Sequence, residues 1–247
     1  MRVQPLRTHK ITTADRDLLA ILDAHLTAFS DGSVLAITSK IVALAEGSAV
    51  PVAGTDKARL IAERAERYLP AAASKHNVSL TITRGMLIAT AGIDESNTDG
   101  HFVPWPAAPQ RSADTVRRYL SERFAVTRAG VVITDSRTTP LRLGVTGVAL
   151  AHSGFQALND YVGVNDLFGR ALRMTKVNVM DALAMAAVLV MGEGSEQTPL
   201  AVIDDVPFVQ FQARDPSADE LAQLRVTPED DLYAPLLERV PWQRNES

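Results

Sequence analysis

The stretch Thr83–Asn97, TRGMLIATAGIDESN, decides the fold prediction for this chain. Its apolar run Met86–Ala91 lies between two glycines, which is typical of a strand buried on both faces of a sheet. The residues that follow, from Gly92 to Asn97, place carboxylates and an amide in a glycine turn. A buried strand that opens into such a turn can hold oxygen ligands on a rigid support.

A second stretch repeats this pattern farther along the chain. Residues 130–134 read GVVIT, and Asp135 and Ser136 follow directly. Two acidic strand ends, at Asp94 and Asp135, suggest a shared site for a hard cation, because Mg²⁺ and Mn²⁺ prefer oxygen ligands. The alternative is that both acids begin turns, since aspartate readily closes a turn onto its own backbone. The residues alone leave both interpretations open.

Composition narrows the class of protein. The 247 residues are 46% hydrophobic, which is enough for one large domain or two small interlocked ones. A net charge of -4 gives no basic surface for nucleic acid. The absence of cysteine excludes disulfides, thiolate metal sites and cysteine nucleophiles. The first ten residues have no apolar core typical of a signal peptide, and the apolar stretch Val177–Met191 is too short to span a bilayer. We expect a soluble, cytoplasmic protein that binds neither nucleic acid nor a membrane.

Apolar periodicity and breaker residues predict the elements. The irregular alternation of strands and helices favours an α+β fold with mixed, largely antiparallel sheets and packed helices over a doubly wound sheet. Residues 1–212 are predicted to form the main domain, with two interlocked subdomains as an option, and residues 213–247 a polar tail. The proline-rich segment 98–110 around Trp105 is predicted to be an irregular, functional loop. Helices are predicted at 12–29, 57–69, 112–124, 177–191 and near 218–224, and strands at 34–38, 78–83, 131–134, 172–175, 200–203 and 208–211.

Several familiar catalytic signatures are missing from the sequence. It contains no P-loop, no G-x-G-x-x-G after a strand, no H-E-x-x-H and no G-x-S-x-G elbow. His152 lies beside Ser153 and could act as a base, but a lone histidine in an apolar stretch is more often structural.

Two further patterns suit phosphate binding. Ser39 and Lys40 follow a strand, and lysine with neighbouring backbone N–H groups suits a phosphate. The turn Gly192–Ser195 leaves the most apolar helix with free backbone amides and a carboxylate. Each pattern alone is weak, since strand-end lysines are mostly solvated and such turns are mostly helix stops.

The order of these motifs carries more information than any one of them. TSKIVALAEG, TAGIDESN, VVITDSRTTPLRLG and the block DLFGRALRMTKVNVMDALAMAAVLVMGEGSEQTPLAVI resemble the γ-glutamyl ligase family of deazaflavin coenzyme F-420 biosynthesis. The similarity runs from about Leu6 to Val209. It implies an α+β homodimer with intertwined subunits that binds GTP and two divalent cations, Mg²⁺ or Mn²⁺, and joins L-glutamate to a carboxyl-bearing acceptor.

The resemblance also assigns roles to individual residues. It implies that Asp94 and Asp135 hold the first metal ion, and that Ser136 and Glu193 serve the second. Nucleotide contacts are implied for Ser39, Lys40 and Asn97, and for the turn containing Gly192, Gly194 and Ser195. Lys40 and Arg142 are the cations that we expect to face phosphate or carboxylate during catalysis; the alternative for each is a surface ion pair.

Departures from the family pattern fall near this expected site. Leu44 stands where the family usually has a second lysine, and Leu143 replaces a usual arginine. The family's Phe-Gly-Arg turn is absent after Ser136, where Arg137 is expected to restore some charge, and Lys176 replaces a usual glutamate. These changes leave open GTP or ATP as the nucleotide.

Three functions remain possible from the sequence. The default is a ligase acting on the coenzyme F-420 precursor, and the nearest rival is a folate-type γ-glutamyl ligase, because a poly-γ-glutamate tail poses the same chemical problem. A paralogue that has lost catalysis and binds a nucleotide or metabolite is the alternative from another class.

Overall fold

A computed structural model describes residues 1–245 of the chain. The strands are β1 (Arg2–Leu6), β2 (Ser33–Thr38), β3 (Val50–Pro51), β4 (Arg67–Leu69), β5 (Leu80–Thr83), β6 (Met86–Ala89), β7 (His101–Phe102), β8 (Ala129–Thr138), β9 (Val145–Ser153), β10 (Leu158–Asp160), β11 (Lys176–Asn178) and β12 (Leu200–Asp204). The α-helices are α1 (Leu18–His25), α2 (Ser39–Ala45), α3 (Lys57–Arg64), α4 (Pro109–Phe124), α5 (Val179–Met191), α6 (Ala218–Ala222) and α7 (Ala234–Leu237).

The main sheet has five strands in the order β1-β12-β2-β8-β9. Its central pair, β2 and β8, is parallel, and the other neighbours are antiparallel. The smaller sheets are antiparallel as well. The prediction of an α+β fold with mixed, largely antiparallel sheets is therefore confirmed.

Both faces of the main sheet are covered by helices. Side chains alternate along β2, so Leu35 and Ile37 face one layer while Val34 and Ala36 face the other. The first layer contains α1, α2 and α4, and the second contains α5. This double coverage explains why β2 reads as a continuous apolar run.

Helix α5 approaches the sheet closely at β9. A Cβ at Gly147 would overlap the backbone of Ala184, so glycine is needed for this contact. The inner face of α5 is buried through Leu183 and Ala187, whereas Leu189 on its outer face is 83% exposed. One face of this apolar helix therefore packs against the sheet.

A second, smaller body precedes α4 in the chain. Strands β4, β5 and β6 form a three-stranded sheet, and helix α3 packs nearby around Leu60 and Ile61. The prediction that Met86–Ala91 is buried on both faces is wrong. Strand β6 ends at Ala89, lies at the end of the three-stranded order, and keeps only Ile88 fully inside. A short apolar run does not reveal whether one face or two are covered.

Other predicted boundaries also change. The first helix begins at Leu18, not Thr12, because the Asp17 carboxylate caps the backbone N–H groups of the first turn. The helix that begins at Lys57 ends at Arg64, because the next segment pairs with β5 as β4. The predicted strands 172–175 and 208–211 are not strands, and the loop 98–110 contains β7 and the start of α4.

The segment after residue 213 packs on the rest of the molecule. Asp215 makes ion pairs with Arg117 and Arg118 of α4. Farther along, the backbone of Gln243 exchanges hydrogen bonds with Tyr68 of β4. The predicted helix near Ala218–Leu224 is present as α6, begun by a capping box at Ser217. Each helix among residues 1–245 is too short or too polar to cross a membrane.

Two segments carry apolar side chains into solvent. The turn between β8 and β9 exposes Leu141 and Leu143 completely, and the excursion between β10 and β11 exposes Leu167, Phe168 and Met174. We call these two segments the apolar arms.

Candidate functional site

A cavity of about 500 Å³ opens where the main sheet meets the smaller body. Strands β2 and β8 are parallel neighbours with Thr38 opposite Thr134, so the residues that follow them meet at one edge of the sheet. The turn after β6 and the turn after α5 complete the wall. The cavity is lined by all the predicted site residues except Arg142, namely Ser39, Lys40, Asp94, Asn97, Asp135, Ser136, Gly192, Glu193, Gly194 and Ser195.

Lys40 connects two of the lining segments. Its ammonium group lies 2.7 Å from Asp94 Oδ2 and donates a 2.8 Å hydrogen bond to the carbonyl of Ser96. Asp94 Oδ1 accepts hydrogen bonds from the backbone N–H and the hydroxyl of Ser96. Burial alone raises the pKa of Asp94, but the hydrogen bond and charge of Lys40, with the Ser96 donors, leave that pKa below its usual value. Asp94 is therefore a carboxylate already matched by a cation.

Asp135 lies in a different electrostatic setting. Its Oδ1 accepts a 2.8 Å hydrogen bond from the Ser136 backbone N–H, and its Oδ2 accepts one from the indole of Trp105. Burial raises the pKa of Asp135 to about 6, and the negative charges of Asp94 and Glu193 add to this, although both hydrogen bonds oppose it. Among the described residues, no cationic side chain forms an ion pair with this carboxylate, and the nearby negative charges of Asp94 and Glu193 destabilise its charged form.

Glu193 completes the acidic group. Partial burial raises its pKa, while a hydrogen bond from the Ser136 side chain and the charge of Lys40 oppose this rise. The turn around it is held by the Asn97 amide, which donates to the carbonyl of Gly194, and by the Glu196 carboxylate, which accepts from the Gly194 N–H. Three carboxylates and one lysine thus interact across a single cavity.

The oxygen donors of this cavity fit a hard divalent cation. Carboxylates and a hydroxyl are the ligands that Mg²⁺ and Mn²⁺ prefer. Burial is the main cause of the raised pKa of Asp135, and a cation would offset the smaller part that comes from repulsion by Asp94 and Glu193. Within residues 1–245, however, no three acidic or histidine side chains are already gathered at ligand spacing. Asp94 is instead held by the Lys40 ammonium group and by the Ser96 donors.

Some predicted residues have different surroundings. Arg142 lies on the exposed turn of the first apolar arm and does not line the cavity, so its catalytic role stays a prediction. Arg137 faces Asp181 of α5, with 3.8 Å between their charged groups. Leu44 is buried against Val103 and contributes an apolar wall to the cavity.

Sequence reasoning missed two polar groups of the site. Glu196 folds back over the turn after α5, and Trp105 contacts Asp135. Trp105 lay in a loop already predicted to be functional, between two prolines, but nothing in the sequence connected it with an aspartate thirty residues away.

Comparison with known proteins identifies relatives over most of the chain. The family model described as F420-0:Gamma-glutamyl ligase matches residues 5–205. A coenzyme F420:L-glutamate ligase of Methanopyrus kandleri is 37% identical over 218 residues, which cover 82% of this chain and 86% of the relative. One from Methanothermobacter thermautotrophicus is 37% identical over 194 residues, covering 72% and 77%. A third, from Methanococcus maripaludis strain C6, is 41% identical over 132 residues, about half of each chain.

Proposed function

The chain belongs to the F420-0:gamma-glutamyl ligase family, and we propose that it joins L-glutamate by an amide bond to a carboxylated acceptor, by default the coenzyme F-420 precursor. The observation that carries this proposal is the meeting of Lys40, Asp94, Asp135 and Glu193 around one cavity. Family membership supports the acceptor and the amino acid, while the cavity supports the chemistry.

The reaction needs an activated acyl group. A carboxylate oxygen of the acceptor attacks the terminal phosphorus of GTP or ATP, and the nucleoside diphosphate leaves. The amine of glutamate then attacks the acyl phosphate carbon, inorganic phosphate leaves, and the amine loses a proton. Charge neutralisation and positioning govern the first step, and stabilisation of a tetrahedral oxyanion governs the second.

Lys40 suits the phosphoryl-transfer step. Its ammonium group pairs with the carboxylate of Asp94, and both residues line the cavity. When a cation takes its place on Asp94, the lysine becomes free to bind a phosphate oxygen, and its α2 position next to Ser39 keeps it near backbone N–H donors. We propose Ser39, Asn97 and the 192–195 turn as the further nucleotide contacts.

Divalent cations complete the proposed site. Asp94 and Asp135 would hold one ion, and Ser136 and Glu193 a second. Such ions polarise phosphoryl oxygens and neutralise charge in the transition state. Burial, and to a lesser degree the charges of Asp94 and Glu193, raise the pKa of Asp135, and bound cations would offset the part that comes from charge repulsion.

We also propose that the active form is an intertwined homodimer. The apolar arms expose five large side chains completely or nearly so, which is unusual for a surface that meets only water. Sedimentation or light scattering should give twice the chain mass, and Leu143→Asp with Phe168→Asp should give monomers. Monomeric wild type at micromolar concentration would refute this proposal.

The direct test combines purified protein with GTP or ATP, Mg²⁺ or Mn²⁺, glutamate, and either the coenzyme F-420 precursor or a reduced folate. We expect a product one glutamate heavier by mass spectrometry with the F-420 precursor. If only the reduced folate gave a product, the proposed acceptor would be the folate and not the F-420 precursor. If no product formed with either acceptor, under conditions in which a known ligase works, the enzymatic proposal would be overturned.

One observation favours a second candidate, a paralogue that binds nucleotide without catalysis. Leu44 is buried in the cavity wall and offers no charge to a phosphate. Calorimetry separates the two functions. Nucleotide binding that needs Mg²⁺ and is lost in Asp135→Asn supports the ligase, whereas binding indifferent to both supports the paralogue.

A further inference from the structure

Trp105 is buried beside the cavity and is 4% exposed. Its indole lies against Gly92, whose φ is +69°, and a Cβ at that glycine would overlap the ring. Gly92 begins the turn that carries Asp94. The same indole donates its N–H to Asp135 Oδ2. One side chain therefore contacts both acidic segments of the site.

The loop that carries Trp105 is held from two sides. Arg84, in the turn between β5 and β6, donates to the carbonyls of Pro106 and Ala107 at 2.8 and 3.0 Å. Glu46, at the end of α2, accepts a 2.7 Å hydrogen bond from the Ala107 N–H. On the other side of the tryptophan, Val103 exchanges two backbone hydrogen bonds with Asp94. Such a clamped loop gives the indole a fixed position.

The hydrogen bonds to Asp135 leave room for a ligand role. The indole N–H binds Oδ2 and the Ser136 N–H binds Oδ1, so each oxygen keeps a further lone pair. An indole can donate only through this N–H and offers no oxygen to a cation, so Trp105 cannot itself be a metal ligand. Its contact instead restricts the plane of the carboxylate.

We propose that Trp105 is a positioning residue that fixes the Asp135 carboxylate for cation binding and ties it to the Gly92–Asp94 turn. This inference rests on the metal role proposed above for Asp135. Groups that orient metal ligands through hydrogen bonds contribute about 10- to 100-fold to metal affinity. Trp105→Phe keeps the buried ring and removes only the donor, so we expect a loss of Mn²⁺ affinity within that range.

The first measurement needs no metal. The chain has two tryptophans, so a ¹⁵N–¹H spectrum contains two indole N–H signals, and Trp242→Phe assigns them. Asp135→Asn should move the Trp105 signal and leave the Trp242 signal in place. An unchanged Trp105 signal would show that the contact is absent in solution and would overturn the positioning role, even if Trp105→Phe failed to fold.

The second measurement titrates Mn²⁺ alone and follows free Mn²⁺ by electron paramagnetic resonance. The wild type and Trp242→Phe should bind equally, Trp105→Phe about 10- to 100-fold more weakly, and Asp135→Asn at least as weakly as that. Wild-type affinity in Trp105→Phe would overturn the positioning role and leave the proposed function intact. A wild type that binds no Mn²⁺ would overturn both the metal assignment and the role built on it.

Discussion

Asp135 and His152 are two titratable groups on the neighbouring strands β8 and β9, the first partly buried and the second buried, and their surroundings differ in one decisive respect. Burial drives each toward its neutral form, raising the pKa of Asp135 to about 6 and lowering that of His152 to about 4. Asp135 lines a cavity with other charges, whereas His152 is 2% exposed and packs edge-on against Phe155. A shifted pKa marks a functional site only where the group also reaches a space for a ligand.

The largest expected effect is a difference in turnover between variants of Asp135 and of His152. Asp135→Asn removes a proposed ligand charge, and loss of such transition-state stabilisation lowers turnover about 10²- to 10³-fold. His152→Asn should retain turnover within about threefold at a temperature where it is folded, because it touches no reactant. Ligase assays on both purified variants measure turnover. Equal losses in the two variants would contradict the proposal that only Asp135 serves the reaction.

Lys40→Met should approach the effect of Asp135→Asn, at about 10²-fold in turnover, since a phosphate-facing cation is lost. The same change removes the partner that lowers the pKa of Asp94. Lys57→Met is the matched control, because Lys57 pairs with the exposed Glu95. If the Lys40 variant were as active as the Lys57 control, Lys40 would have only a structural role, in its ion pair with Asp94.

Asp135 and His152 should also change the free energy of unfolding with pH in opposite directions. Between pH 3.8 and about 6 the unfolded Asp135 loses its proton before the folded one does, so its contribution falls as pH rises. Between about pH 4 and 6.5 the unfolded His152 binds a proton that the folded form excludes, so its contribution rises with pH. Each amounts to at most about 3 kcal/mol, and in the wild type they partly cancel.

Single variants expose these opposed slopes. Without added metal, Asp135→Asn should leave unfolding free energies that rise from pH 4.5 to 6.5, while His152→Asn should leave values that fall over the same range. Urea unfolding at several pH values measures both slopes. Parallel slopes in the two variants would contradict the assignment of opposite protonation states.

The smallest expected effect concerns the neighbour of His152. Phe155→Leu removes the edge-on ring contact and part of a well-packed core, which costs about 1 to 3 kcal/mol of stability. Turnover should stay at the wild-type value. A selective loss of activity in a stable Phe155→Leu protein would mean that the His152 region serves the reaction after all.

The sequence predicted which segments meet at the cavity better than it predicted the local shape of those segments. The position of Asp135 followed from the apolar run 130–134 that precedes it, although β8 continues to Thr138, so the aspartate lies within the strand and not after it. The turn bearing Asp94 was expected, but Thr90 and Ala91 there both have φ of +53°, a conformation that non-glycine residues rarely adopt. Such a conformation is imposed by tertiary contacts, including the hydrogen bond from Ala91 N–H to Thr81, which local sequence does not encode.

Predicted helix boundaries were wrong where a capping polar side chain, and not the apolar periodicity, determined the end of the helix. The first helix was predicted to begin at residue 12, but the Asp17 side chain caps it and fixes its start at Leu18. Arg142 illustrates another limit, because motif order assigns it to the reaction while a single chain leaves it exposed on an arm.

Residues beyond 213 are easily taken for a dispensable end, since the family match stops at 205. Yet Asp215 neutralises Arg117, which is only 9% exposed on a helix packed under the main sheet. Truncation before Asp215 would leave that guanidinium without its counter-charge and would lower the stability of the protein. Truncations made for crystallisation or for fusion to another protein should therefore retain Asp215.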